Sequence, residues 1–252
     1  MSDFKLLDIK TEENITQLIL CSAPSNILGF ELMLELSQAL DQVQKSPFLI
    51  LSSSVANFSM GVDIKIHTPE LVPDMLKKFH AVIRKLYHYP GISLCVLNGY
   101  ALGGGLELAL PCDFLLAEQE AKLGFPEIRL ACFPPVAAIL LPRLVGRKAN
   151  QMLLTGEIIT AQQAQEFGLV DALFERSTRD HSVMEFTKKI SVHSFDALRI
   201  LKRVSLESSG FDFDLKLDRA EKFYTNDLLQ SPDVAEGIEA FLEKRKPRFR
   251  DH

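Results

Sequence analysis

The sequence predicts an α/β fold followed by a helical region, on three observations. From residue 30 to residue 117, short apolar runs of strand length alternate with stretches of helical period, the pattern of crossover units. From Ala137 onward the texture turns helical, with a single short strand signal. A chain of 252 residues, 47% hydrophobic and 24% charged, can bury a substantial core and still carry an appended helical part. The division falls at residue 178, giving an α/β core over 1–178 and a helical region over 179–252.

Taken in order, Phe4 to Ile9 and Ile15 to Cys21 read as strands joined by the polar turn Lys10 to Asn14. Ala23-Pro24-Ser25-Asn26 punctuates the chain. Phe30 to Val43 places Leu32, Leu34, Leu36, Leu40 and Val43 at spacing that fits an amphipathic helix. Phe48 to Leu51 is a short buried strand before a serine run, Leu76 to Tyr87 a helix, and Ile92 to Leu97 another buried strand. The segment Asn98 to Asp113 follows. Its three glycines, Gly103, Gly104 and Gly105, precede an apolar run whose one charge is Glu107 and which Pro111 ends. Glycines at a strand-to-helix turn allow φ > 0 and close approach to a ligand, while the new helix aims unpaired N–H groups at it. Glu107 falls about one turn into the helix, on the face of Gly104, which sets a carboxylate beside an oxyanion-binding N–H. The plainer reading is charge complementation at a helix start.

Two further segments bear on that site. In Asn57 to Lys65, Gly61 permits a turn that would present the Met60 N–H to the same cavity; alternatively this is a plain loop with Asp63 as a helix cap. After the strand Phe114 to Ala117, Pro126 suits a first helical position, and a second glutamate, Glu127, follows it directly. Adding water across a double bond needs two proton-handling groups, and two carboxylates can divide that work. Beyond lie helices at Ala137 to Leu144, Lys148 to Leu154 and Ala161 to Phe167, the last capped by Thr160 and ended by Gly168, then a strand near Leu169 to Phe174. From Arg179 on, Leu198, Leu201, Leu215, Phe223, Leu228 and Phe241 mark helical packing faces. The basic run Glu243 to Arg250 is either a solvated helix end or a phosphate contact.

Several classes drop out. A net charge of −5 argues against general binding to nucleic acid or anionic membrane. Cys21, Cys95, Cys112 and Cys132 are scattered in apolar surroundings without a paired motif, so they read as reduced core residues. Met1-Ser2-Asp3-Phe4-Lys5 lacks a signal-like layout and no apolar run is long enough to span a bilayer, so a cytoplasmic location is expected. The six histidines lack metal-type spacing, and no GxSxG elbow, Walker loop or GxGxxG fingerprint occurs.

The segments Asn57 to Lys65, Asn98 to Asp113, Gly124 to Glu127, Leu153 to Gly156 and Glu236 to Lys246 together resemble the crotonase, or enoyl-CoA hydratase/isomerase, superfamily over nearly the whole chain. The resemblance implies a spiral of ββα units, with a C-terminal helical oligomerisation region that supports trimers, usually paired into hexamers. It assigns the N–H groups of Met60 and Gly104 to an oxyanion hole for a thioester carbonyl. Glu107 becomes chiefly the base toward water and Glu127 chiefly the acid toward the α-carbon. Ser59, Asp63, Ile64, Lys65, Gly103, Pro134 and Val136 fall at substrate or CoA positions. Lys244 matches a lysine that reaches the CoA phosphates of a neighbouring subunit, with Phe241 near the same ligand. No metal and no cofactor beyond the coenzyme A of an acyl-CoA substrate is implied.

Both glutamates favour a hydratase over the one-carboxylate isomerases of the superfamily. The chain departs from many members at Cys132 to Ile139, where Pro134 and Pro135 stiffen the turn and Val136 and Ile139 would add bulk to the acyl pocket. Ser22 to Asn26 lacks a basic residue that commonly touches CoA, which leaves open a carrier-protein thioester. The Pro-Pro-Val-Ala and Ser25 to Leu28 stretches look similar to the cyclohexadienoyl-CoA hydratase branch. A double-bond isomerase, a carrier-bound polyketide enzyme, and an RNA-binding or scaffold protein of the same fold are the alternatives.

Overall fold

The computed structural model describes residues 4–250, so Met1–Asp3 of the N-terminal stretch lie outside it. The chain opens with a hairpin, β1 (Leu7–Glu12) and β2 (Ile15–Leu20), then α1 (Phe30–Val43), β3 (Phe48–Ser53), α2 (Val72–Tyr87) and β4 (Ile92–Leu97). Next come β5 (Tyr100–Leu102), α3 (Gly104–Ala109), β6 (Phe114–Glu118) and β7 (Lys122–Gly124), and a 3-10 turn over Pro126–Leu130. Helices α4 (Pro135–Val145) and α5 (Lys148–Thr155) lead to β8 (Ile158–Thr160), α6 (Ala161–Glu166) and β9 (Ala172–Phe174). The remainder is helical: α7 (Arg179–Ser191), α8 (Phe195–Ser208), α9 (Phe213–Lys222), a π turn over Phe223–Asp227, and α10 (Pro232–Leu242).

The strands form two sheets, one in the order β1-β2-β3-β4-β6-β9 and a smaller one in the order β5-β7-β8. Within the larger sheet only the β1–β2 hairpin is antiparallel. The chain steps from the large sheet to the small one at β4–β5 and again at β6–β7. That repeated step is the predicted ββα spiral.

Strands β3 and β4 are buried at all six positions, as parallel strands with both faces covered must be. Leu49, Leu51, Cys95 and Leu97 share a core with Leu36 of α1 and Phe79 of α2. The opposite face presents Ile50, Leu94 and Val96 to Val183 and Phe186 of α7 and Leu198 of α8. Full burial of such a side chain contributes roughly 1.5–3 kcal/mol. Helix α9 also reaches the first core, with Phe213 stacked on Tyr87 at a centroid distance of 3.9 Å.

The structure corrects several boundaries. Strand β1 starts at Leu7 and runs through Glu12, which narrows the expected turn to Glu13 and Asn14, Glu13 taking φ of 51°. The serine run is not a loop at its start, because Ser52 and Ser53 complete β3. Ser53 is fully buried yet accepts from Asn26 Nδ2 at 2.8 Å and donates to the Asn57 carbonyl at 2.8 Å, so a polar side chain sits there without an orphan group. Strands β5, β7 and β8 leave no signal in the sequence, since three residues are too few to show a period. Among the predicted packing residues, Leu198 and Leu228 do pack onto the core, whereas Leu201, Leu215, Phe223 and Phe241 are exposed on this chain. A helical period shows that a stripe is apolar, not what covers it.

All four cysteines are free thiols, three of them buried. Among the described residues, no group of three or more His, Cys, Asp or Glu side chains could hold a metal ion. No helix there is long and apolar enough to cross a membrane.

Candidate active site

The glycine turn ends β5 and starts α3. Gly103 has φ of +52°, a left-handed conformation, and a Cβ added there would lie 2.5 Å from Glu127 Oε1. Its N–H is taken by the Gly124 carbonyl at 2.9 Å, so the turn is pinned to the end of β7. Gly104 is the first residue of α3, and helix geometry leaves its N–H without an intrahelical acceptor.

Glu107 lies on the first turn of α3 and is only 3% exposed. Its Oε1 accepts two backbone hydrogen bonds, from Val136 at 2.7 Å and Ala137 at 2.9 Å. These donors are the free N–H groups in the first turn of α4, which Pro135 starts. The two prolines therefore seat a helix N-terminus on this carboxylate. Burial still dominates, and the Glu107 carboxyl is pushed up to about 7 against the opposing pull of the two N–H groups.

Glu127 sits on the 3-10 turn Pro126–Leu130, which Ala131 ends in a left-handed conformation. Its Oε2 is shut off from solvent and has no hydrogen-bond partner among the described residues. Burial first, and then the charge of Glu107, hold its carboxyl well above the usual range. The two carboxylates border one cavity of about 210 Å³, with Met60 and the glycine turn at one wall and Met75, Leu76 and Phe79 of α2 at another. A larger hollow of about 750 Å³ lies against α8, away from both glutamates.

Of the predicted residues, Met60, Ile64, Gly103, Gly104, Glu107, Glu127, Pro134 and Phe241 line this cavity. Four others do not. The Ser59 hydroxyl is fully buried, donating to the Asn26 carbonyl at 2.7 Å and accepting from the Gly61 N–H at 3.1 Å. Asp63 caps the short 3-10 turn Ile64–Ile66, accepting from the Lys65 N–H at 3.0 Å, and Lys65 itself is exposed. Val136 is buried in the core and contributes its N–H rather than bulk, and Ile139 likewise does not reach the cavity.

Gly61 does take the expected unusual turn, with φ of +99°, but the Met60 N–H donates to the Ser25 carbonyl at 3.1 Å instead of opening freely into the cavity. In the basic tail Lys244 is exposed with φ of +56°, closing α10 in a Schellman arrangement: its N–H meets the Phe241 carbonyl and the Arg245 N–H meets that of Ala240. Arg245 is not free to bind phosphate. Its guanidinium pairs with Glu236, Glu239 and Glu243, and holds the Glu236 carboxyl down to about 2.

Sequence reasoning missed His67, Leu130, Phe133 and Tyr224, all of which line the cavity. The period of α2 could have flagged Met75, Leu76 and Phe79 as one face. Nothing local could have flagged Tyr224, which arrives from the π turn after α9 and packs its ring on Phe133 at 5.1 Å.

The fold is a spiral of ββα units that brings two buried carboxylates and a helix N-terminus to one cavity. Comparison with known proteins identifies the family. A family profile described as enoyl-CoA hydratase/isomerase matches residues 10–252. The chain is 33% identical over 245 residues to a cyclohexa-1,5-dienecarbonyl-CoA hydratase of Thauera aromatica, covering 96% of this chain and 95% of that protein. It is 32% identical over 232 residues to a 2,3-dehydroadipyl-CoA hydratase of Escherichia coli, covering 91% and 90%. The solved structure of an enoyl-CoA hydratase from Bacillus anthracis superimposes with a TM-score of 0.78 at 28% identity, covering 98% of this chain and 100% of that one. The chain belongs to the enoyl-CoA hydratase/isomerase family, and it is an enzyme of the hydratase, or hydro-lyase, type.

Proposed function

We propose that the protein adds water reversibly across the conjugated double bond of an enoyl- or dienoyl-CoA thioester, with Glu107 as base and Glu127 as acid. The observation that carries this is the unequal treatment of the two carboxyls. Glu107, held by two N–H donors and with a pKa of about 7, is substantially ionised at neutral pH and can take a proton from water. Glu127, unpartnered at Oε2 and with its pKa well above the ordinary range, keeps a proton to deliver. Water oxygen bonds to the β-carbon as Glu107 accepts its proton. The π electrons move onto the thioester oxygen as an enolate, which collapses by taking the proton of Glu127 at the α-carbon. The next water then carries the proton from Glu107 back to Glu127. No step is routed through a metal or cofactor; coenzyme A is part of the substrate.

The Gly104 N–H, at the start of α3, would receive the thioester oxygen, and that oxygen would displace the Ser25 carbonyl from the Met60 N–H to complete a pair of donors. Each such donor is typically worth ~3 kcal/mol of barrier. The similarity to a dienecarbonyl-CoA hydratase supports including cyclic conjugated acyl groups among the substrates. The test is a panel of linear and cyclic enoyl-CoAs in deuterated water. Loss of conjugation with deuterium at the α-carbon is expected, and the proposal fails if no member is hydrated or if Glu107→Gln and Glu127→Gln turn over unchanged. A 3-enoyl thioester shifted without water uptake would point to an isomerase instead.

A further inference from the structure

The cavity lining includes one polar side chain that the proposed chemistry does not use, His67. His67 follows the 3-10 turn Ile64–Ile66 and lines the cavity, as do Ile64, Met75, Leu76 and Phe79. Its Nδ1 lies 3.0 Å from the Asp63 carbonyl. A carbonyl only accepts, so Nδ1 carries the proton, and in the neutral ring Nε2 is left as a bare acceptor. Burial pulls the His67 pKa down from its ordinary value, which keeps the ring neutral at physiological pH.

The other polar side chains at the cavity are accounted for. Glu107 and Glu127 handle protons, and the Cys132 thiol and Tyr224 hydroxyl face each other. Among the described residues, Nε2 of His67 has no hydrogen-bond partner in the protein. A hydrocarbon acyl group that covered Nε2 would strip that acceptor of water and leave it unsatisfied, a cost that an apolar side chain at position 67 would avoid.

Resting on the hydratase reading above, we infer that His67 is a specificity-determining residue whose Nε2 accepts a hydrogen bond from a hydroxyl on the acyl group. The preferred substrate is then a hydroxylated enoyl thioester, not a plain hydrocarbon one.

The test compares hex-2-enoyl-CoA with its 4-, 5- and 6-hydroxy derivatives, by kcat/KM, in the wild type, His67→Leu and His67→Asn. In His67→Asn the amide N–H replaces Nδ1 and still reaches the Asp63 carbonyl, but nothing stands where Nε2 was. At least one hydroxylated thioester should be favoured over the plain one by about tenfold in the wild type, and the preference should vanish in both variants. A preference that survives His67→Asn makes the ring a backbone cap only and overturns the inference, as does equal turnover of all four thioesters by the wild type. The hydratase reading itself is overturned only if, in addition, no linear or cyclic member of the enoyl-CoA panel is hydrated; if the panel is hydrated but none of these four turns over, the calorimetric comparison decides the inference. Calorimetric affinities of the wild type for the saturated hydroxylated and plain acyl-CoAs probe the same preference without any variant having to fold: tighter binding of a hydroxylated ligand is expected, and equal affinities overturn the inference.

Discussion

The turn that carries Glu107 and the turn that carries Glu127 begin alike, each a short strand of the small sheet running into a helical turn, and each delivers a glutamate to the same cavity. They differ in what the backbone offers the carboxylate. Helix α4 points its first N–H groups at Glu107, whereas Glu127 Oε2 meets no donor among the described residues and faces the charge of its neighbour. Two identical side chains are thereby separated into a group that gives up its proton near neutrality and one that retains it. Both carboxyls are raised first by burial, and it is the backbone hydrogen bonds to one and the neighbouring charge on the other that would divide the proposed roles.

The strongest way to break this comparison is to remove either carboxylate. Glu127→Gln and Glu107→Gln should each lower kcat by about 10²- to 10⁴-fold, with the fold intact by circular dichroism. Equal and small losses would mean that the roles are not divided. Gly103→Ala tests the contact between the two turns. Its Cβ would fall 2.5 Å from Glu127 Oε1 at a φ that alanine resists, and a loss of about 10²-fold in kcat/KM is expected, with substrate affinity less affected.

A subtler probe moves a donor and leaves the acid in place. The pH profile of kcat/KM should be bell-shaped, rising as Glu107 ionises around pH 7 and falling at higher pH as Glu127 loses its proton, the two limbs belonging to the coupled pair. Ala137→Pro deletes one N–H from Glu107 at a first-turn position where proline is tolerated, so the rising limb should move up by about one pH unit.

The smallest effect is on stability. Glu107 has a raised pKa in the folded state, so its ionisation opposes folding: its contribution is most favourable below pH 4.5 and is lost as pH rises to about 7. Glu107→Gln should thus raise unfolding stability by on the order of 1–3 kcal/mol at pH 8 and leave it unchanged near pH 4, read from urea midpoints.

The glycine turn at Gly103 to Gly105 and the Pro126-Glu127 step are legible in the sequence because the local chain must be unusual wherever a backbone approaches a ligand. The buried runs of β3 and β4 are equally legible, since a strand covered on both faces reads as unbroken hydrocarbon. The fate of the Met60 N–H is not, because its acceptor, Ser25, comes from a distant loop. Nor is the role of Pro134 and Pro135. Locally they stiffen a turn, and only the tertiary fold shows that the helix they start points its first N–H groups at Glu107. His67 reads locally as an ordinary residue beside a cap for the same reason.

The C-terminal helices also brace the turn that carries Glu127. Gly237 of α10 lies so close to the turn bearing Glu127 that an added Cβ would stand 2.3 Å from the Leu130 carbonyl. On the ribosome, the turn bearing Glu127 therefore leaves the exit tunnel well before the helix that braces it. A nascent chain can form both sheets and still hold Glu127 on an unbraced turn, so catalytic competence should switch on only once α10 has emerged and docked.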